Sequence, residues 1–338
     1  MLGKVAAYIA KTICKRLSPS NRAKVVRDSI QMEDLYLNLP SRRVVDLLFG
    51  AAMKMNVVGL SFSGKFGVFE GSPRDRAILR AYALQGAWSP SFQTTVVDLV
   101  FAQGKGTLLD IGANIGLTVI PAAMKHAIRC IAFEPDPTNF EFLKRNLERN
   151  GVADRVSIYN VALHDTSCFA EFELSDTNLG DHRLRLRDSR SAVEPAFNKL
   201  ACKTIPVQAK PLDEILGTLE LERPILMKVD TQGSEATVLR GARRVLQAVD
   251  FLIVEFSPHC MARMGIPEED LFEELRTYPY GAILRFDQQS PPATPNPATS
   301  DKIKLYPIDE LIKTLGQIAC NKSPDNYVDV FLSKRLLE

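Results

Sequence analysis

Leu108-Leu109-Asp110-Ile111-Gly112-Ala113-Asn114-Ile115-Gly116 decides how this chain is read. An apolar run of strand length enters a glycine turn, and residues 117–125 continue at helical spacing. Glycine lacks a Cβ, so a strand–turn–helix unit of this kind lets a ligand approach the backbone. The dinucleotide fingerprint G-x-G-x-x-G needs glycine where this chain has Asn114. That substitution opposes a pyrophosphate on the turn, and with it a nicotinamide dehydrogenase. The turn suits a smaller nucleoside ligand.

Working outward, the next acidic strand end is Phe133-Glu134-Pro135-Asp136. Open α/β sheets bind ligands at the carboxyl ends of their strands. A carboxylate there can accept both hydroxyls of a ribose. Pro135 and Pro137 end the strand and start the next helix. Further strands are expected at 107–111, 130–133, 156–160, 225–229, 251–255, 282–286 and 328–332, with helices at 117–125, 137–149, 235–246 and 267–277. Strands alternating with helices predict an α/β fold with a parallel sheet covered on both faces. Residues 168–174 and 205–209 read as hairpin arms, and the glycine-rich 59–71 as a small hairpin. Residues 20–60 read as helical. Ser72-Pro73 reads as a helix start with Ser72 as the cap.

The whole chain has 338 residues, 46% hydrophobic and 24% charged, with a formal net charge of +2. These values exclude wholesale disorder and give no strong field for nucleic acid. No apolar run reaches the roughly 20 residues of a membrane-spanning helix. None of the six cysteines forms a C-x-x-C pair and only four histidines are present, so no metal site is expected. Cysteine usage suggests a reducing, cytoplasmic compartment. Leu2, Val5, Ile9, Ile13 and Leu17 fall at helical spacing among Lys4, Lys11 and Lys15. Residues 1–20 therefore read as a basic amphipathic helix. Packing on its own protein is favoured over docking on an anionic membrane surface.

These motifs, in this order, resemble the FkbM family of S-adenosylmethionine-dependent methyltransferases. Asn160-Val161-Ala162-Leu163-His164-Asp165 is similar to the family's segment after strand three. Pro211-Leu212-Asp213-Glu214-Ile215 resembles its leucine-aspartate helix start. Lys228-Val229-Asp230-Thr231-Gln232-Gly233-Ser234-Glu235 resembles its strand-four signature, with Gln232 in place of a glutamate. The likeness spans roughly residues 68–335. It implies a class I methyltransferase, a Rossmann-like, doubly wound sheet of seven strands whose last strand is antiparallel. The domain would cover 68–338, behind a basic, helical extension over 1–67. The resemblance also implies S-adenosylmethionine as donor and a hydroxyl on a small molecule or glycan as acceptor. Asp110, Gly112, Asn114 and Gly116 would then form the donor loop, with the two glycines and Asn114 at the methionine portion. Glu134 would hold the ribose, and Ala162, Leu163 and Asp165 would border the adenine.

Asp230 is the first candidate for the chemistry, since it ends strand four beside the donor turn. It could orient the acceptor hydroxyl or take its proton; a helix-capping role is the alternative. Lys228, two residues earlier, shares its face of the strand and could pair with it or with Glu255. An Asp230/Glu255 cation site is a weaker reading. Glu235, in the first turn of a helix, could equally serve the helix dipole. His259, after strand five, is the second candidate base and His182 a third; for both, a non-catalytic role is favoured. Arg183, Arg185, Arg187 and Arg190 read as a solvated strand face rather than an anion site. Tyr82 and Trp88 read as core rather than stacking surfaces. The competing function is a scaffold that binds the donor without chemistry. Loops 176–203 and 287–300 are expected to shape the acceptor site.

Overall fold

The computed structural model describes residues 42–175, 178–185, 203–217, 219–284 and 303–337, which fall into two compact units. The amphipathic stretch 1–20, Arg187, Arg190 and the loop 287–300 lie outside the described residues.

The first unit comprises described residues up to Trp88 together with 178–180. Helix α1 (Arg42–Lys54) buries Val45, Phe49 and Ala52, one stripe at spacings of four and three. Strands β1 (Leu60–Gly64) and β2 (Gly67–Gly71) form an antiparallel hairpin. The expected extension boundary at residue 67 falls inside this hairpin, whereas the first compact unit runs on to Trp88. Helix α2 (Ile78–Gln85) begins later than its sequence suggests. The Ser72 hydroxyl accepts the Arg74 N–H and closes a turn instead of capping a helix. Buried Asp75 supplies the cap: its carboxylate accepts the N–H groups of Ala77, Ile78 and Leu79. Tyr82 is a core residue, fully buried edge-on against Phe69, and its hydroxyl donates to the Gly67 carbonyl. A stacking role on a ligand is thereby closed to it.

The second unit is built on β3 (Thr107–Ile111), β4 (Arg129–Phe133), β5 (Val156–Tyr159), β10 (Ile225–Val229), β11 (Phe251–Phe256), β12 (Tyr280–Leu284), β13 (Tyr306–Pro307) and β14 (Val328–Ser333). Their spatial order is β13-β12-β14-β11-β10-β3-β4-β5. Strands β3, β4, β5, β10 and β11 pair in parallel. Strand β14 inserts antiparallel between β11 and β12. These are the seven strands of a class I methyltransferase, with the antiparallel last strand expected; two-residue β13 adds an eighth at the edge. A smaller sheet carries β6 (Ala162–Leu163), β7 (Cys168–Leu174), β8 (Arg183–Arg185) and β9 (Lys203–Lys210) in the order β6-β9-β7-β8.

Alternation along the central strands assigns the two faces. Leu109, Ile111, Met227, Val229, Leu252, Val254, Val330 and Leu332 join one apolar core. The intervening positions, among them Asp110, Lys228 and Glu255, turn to the other face. The apolar core also takes residues from α6 (Glu235–Arg240), α7 (Arg243–Ala248), α9 (Glu268–Leu275) and α10 (Ile308–Ala319). Helices α3 (Val119–Lys125), α4 (Pro137–Arg149), α5 (Leu212–Leu216) and α8 (Pro258–Met264) also belong to this unit. The single helix expected over 235–246 is two. Asp213 accepts the N–H groups of Arg244 and Val245, capping α7 afresh. A Cβ at Gly241, in the break, would lie 2.2 Å from the His164 carbonyl oxygen.

Candidate active site

The turn after β3 takes its shape from three left-handed residues: Gly112 (φ 86°), Asn114 (φ 52°) and Gly116 (φ 95°). Asparagine tolerates this region better than most residues. The Asn114 side-chain oxygen also accepts the Ile115 N–H, at 2.8 Å. Gly112 is required by the protein itself: a Cβ there would stand 2.0 Å from the Asp230 carbonyl oxygen. The glycine therefore brings the β3 turn against the β10 turn. At Gly116 a Cβ would crowd Ile120 and Leu143.

Glu134, directly after β4, is buried beside this turn. One carboxylate oxygen accepts the Asn114 N–H (2.8 Å) and the other the Asp136 N–H (2.9 Å). Each oxygen keeps a further acceptor site. Burial pushes the Glu134 carboxyl up to about 8, against the two backbone N–H groups that favour its charge. Asp136 caps α4 through the Thr138 N–H. His182, 6% exposed, lies with Nε2 3.4 Å from the second Asp136 oxygen, while its Nδ1 accepts the Ser175 N–H at 2.9 Å. An Nδ1 that accepts leaves the proton on Nε2, facing Asp136. His182 thus links Ser175, just after β7, to the start of α4.

Asp110 has the unsatisfied chemistry. Both carboxylate oxygens are buried without a hydrogen-bond partner. Desolvation raises its carboxyl to about 6; Lys228 opposes this and Asp230 adds to it. An orphaned buried carboxylate costs roughly 1–3 kcal/mol or more. A ligand with N–H or ammonium donors, entering at the glycine turn, would relieve it. The amino end of a methionine moiety has that chemistry, so these residues fit S-adenosylmethionine.

The β10 end is organised differently. The Lys228 ammonium donates to one Asp230 oxygen at 2.9 Å. The Gln232 amide donates to the other at 3.0 Å and also to Glu255 at 3.1 Å. Cys260 Sγ lies 3.5 Å from the Gln232 side-chain oxygen. Burial drives the Glu255 carboxyl well above its usual range, with Asp230, Asp329 and Glu235 adding to the effect and Lys228 opposing it. Desolvation opposes the Lys228 charge, but Asp230 and Asp110 outweigh it and hold the ammonium above its ordinary value. Glu235 is spent on the loop: it accepts the N–H groups of Thr231 and Gly233 and the Thr231 hydroxyl.

The structure brings Asp110, Gly112, Asn114, Gly116, Glu134 and Asp230 to the carboxyl edge of three adjacent strands. Ala162 and Leu163 form β6, both buried and paired with Ala209 and Lys210. Leu163 belongs to the apolar core. Asp165 is paired with Arg240 at 3.3 Å. His259 lies in the first turn of α8 with Nδ1 3.1 Å from the Lys322 carbonyl oxygen; its neighbour Cys260 is the residue that reaches Gln232. Arg183 is buried in an ion pair with Glu173, so it does not belong to a solvated face. Sequence reasoning passed over the bridging role of Gln232 and the presence of Asp329. The resemblance marks position 232 only as a departure, and no motif marks 329. Among the described residues, no group of three or more His, Cys, Asp or Glu side chains could hold a metal ion. No described helix is long and apolar enough to cross a membrane.

Sheet order, antiparallel insertion and a glycine turn facing an acidic strand end define a class I methyltransferase fold. The model of the methyltransferase FkbM domain matches residues 110–279, and the chain belongs to the FkbM methyltransferase family. Membership carries S-adenosylmethionine with it as the donor. Hexuronic acid methyltransferase AglP of Haloferax volcanii is 31% identical over 155 residues, covering 46% of this chain and 57% of that protein. Methyltransferase 1 of Beauveria bassiana is 29% identical over 143 residues, covering 40% and 57%. The chain thus spans a little over half the length of these relatives. Among solved structures, P. horikoshii TYW2 in complex with MeSAdo is 13% identical, with 87% of this chain and 83% of that one covered and a TM-score of 0.39.

Proposed function

We propose that the chain is an O-methyltransferase acting on a hydroxyl of a sugar, glycan or secondary metabolite. The observation that carries this reading is the Asp230 carboxylate, held by Lys228 and Gln232 one strand away from the glycine turn. S-adenosylmethionine, when bound, supplies an electrophilic methyl on a sulfonium. Glu134 accepts the ribose hydroxyls through its remaining lone pairs. Asp110 receives the amino end of the donor. Gly112, Asn114 and Gly116 shape the turn beneath the methionine portion, and the segment 162–165 borders the adenine.

Transfer to a hydroxyl requires the oxygen to be aligned with the methyl–sulfur bond and to lose its proton. Alignment supplies much of the rate. A positioned base contributes a further 10²–10⁴-fold or so. Asp230 is that base: both oxygens are fixed, and 29% of its side chain remains exposed to meet an acceptor. His259 stays second, because its ring is turned to the Lys322 carbonyl. A sugar acceptor is supported by the hexuronic acid methyltransferase named among the relatives.

The test is transfer of labelled methyl from S-adenosylmethionine to a panel of neutral sugars, uronic acids and hydroxylated metabolites. Label on a hydroxyl oxygen supports the reading. Donor binding with no transfer to any member of a broad panel favours the silent scaffold instead.

A further inference from the structure

Gln232 lies at the centre of the β10 cluster, within hydrogen-bond reach of Asp230, Glu255 and Cys260. Its backbone is held at φ 58°, a region that a residue with a long side chain enters at a cost. The neighbouring Gly233, at φ 109°, and the three bonds to Glu235 hold the loop in this form. The result is a side chain aimed between two carboxylates that belong to different strands.

The orientation of the amide follows from its partners. Asp230, which already takes the Lys228 ammonium on one oxygen, requires a donor on the other, so the NH₂ group faces it and reaches Glu255 beside it, while the amide oxygen faces the Cys260 thiol. One nitrogen spends one hydrogen on Asp230, at 3.0 Å, and the other on Glu255, at 3.1 Å. Lys228 holds the opposite Asp230 oxygen. Asp230 is therefore fixed from both sides, by a cation and by a neutral amide.

We infer that Gln232 is a positioning residue: its amide aims the Asp230 carboxylate and stands as a neutral spacer between it and Glu255. This rests on the reading of Asp230 as the base. A glutamate at 232 would put a third carboxyl between two others. The groups that face this cluster are Lys228 on β10, Asp110 on β3, Glu255 on β11, Asp329 on β14 and Glu235 on α6. Among these described groups Lys228 is the cation, and it is already engaged by Asp230. Like charges held close suppress ionisation, and a base that keeps its proton cannot take another. With glutamine, Asp230 is spared that competition.

The titration arm reads the charge directly and needs no acceptor; the turnover arms use the acceptor identified by the labelled-methyl panel. Full-length protein is labelled with ¹³C at the aspartate carboxyls, and the Asp230 signal is assigned by its loss in Asp230→Asn. Gln232→Glu is compared with the parent across pH. Glutamate keeps the length and shape of glutamine, so folding is expected to survive; S-adenosylmethionine affinity by calorimetry checks that it has. The Asp230 midpoint is expected to rise by at least about one pH unit, tenfold in proton affinity. Gln232→Met, isosteric without donors, is expected to lower kcat about tenfold with KM for the donor unchanged, and Gln232→Asn to recover little because it is too short to bridge. An Asp230 midpoint unmoved in Gln232→Glu, or normal kcat in Gln232→Met, overturns the inference. If Asp230→Asn itself keeps full turnover, the base assignment fails instead, and the titration still reports whether Gln232 separates the charges.

Discussion

The two halves of the carboxyl edge hold their acids by different means. At β3 and β4, Glu134 takes backbone N–H groups from Asn114 and Asp136, and Asp110 takes none. At β10 and β11, Asp230 and Glu255 take side-chain donors from Lys228 and Gln232. Backbone donors come from a turn, and a turn is written in consecutive residues. Side-chain donors come from wherever the fold carries them. The first half is a rigid receptacle with acceptors to spare for a ligand. The second is a network whose charge balance depends on one lysine.

That dependence gives the largest expected effect. Lys228→Met removes the countercharge from Asp230 and Asp110 while keeping most of the volume. Breaking a buried pair by removing one partner costs about 3–5 kcal/mol, and the lower end applies because Asp230 is partly exposed. Urea denaturation at neutral pH should show a loss of about 3 kcal/mol. A loss below about 1 kcal/mol would mean that solvent already screens the cluster, and the contrast between the halves would collapse.

Asp230→Asn comes next. It keeps the shape and removes the charge, so kcat on the true acceptor should fall at least about a hundredfold with donor affinity nearly unchanged. Near-normal kcat would reduce Asp230 to a loop residue whose carbonyl happens to meet Gly112. The mirror experiment on the other half is Glu134→Ala. Loss of charge-assisted contacts to the ribose should weaken S-adenosylmethionine binding by roughly 1.5–3 kcal/mol, with little change in kcat at saturating donor. Each substitution should move one parameter and spare the other; if both move together, the edge is one site rather than two.

The same contrast explains what the sequence disclosed. The strand–glycine–helix unit at 107–125 and the strand end at Glu134 are local, and the order of elements around them determines the sheet. Strands β3, β10 and β14 were readable from their apolar runs within a residue or so. The break between α6 and α7 was not, because Asp213, some thirty residues upstream, supplies the cap. Nor was the start of α2, where Ser72-Pro73 carries a cap signal that Asp75 overrides. The cluster around Gln232 joins β10, β11 and α8 through side chains, and no spacing within a single segment encodes it. Arg183 likewise looks solvated by alternation, but Glu173 on the neighbouring strand draws it inside.

The smallest expected effect is the most diagnostic of the first half. In the protein without donor, burial lifts the Glu134 carboxyl from an ordinary 4.5 to about 8. A group whose pKa is raised on folding binds its proton more tightly in the folded state. Its stabilising contribution is complete below about 4.5 and is lost as pH rises towards 8. Stability should therefore decline across this window, with Asp110 adding to the lower part of it. Glu134→Gln cannot ionise and should flatten much of that decline, leaving the part below about pH 6 that belongs to Asp110. Ribose hydroxyls that donate to the carboxylate favour its charged form, so donor binding at pH 7 should release a fraction of a proton. Calorimetry in two buffers of different ionisation enthalpy measures that fraction. Proton release in the parent and none in Glu134→Gln would assign the ribose contact to this carboxylate. Equal release in both would move the contact to another acid at the edge, with Asp110 the first to test.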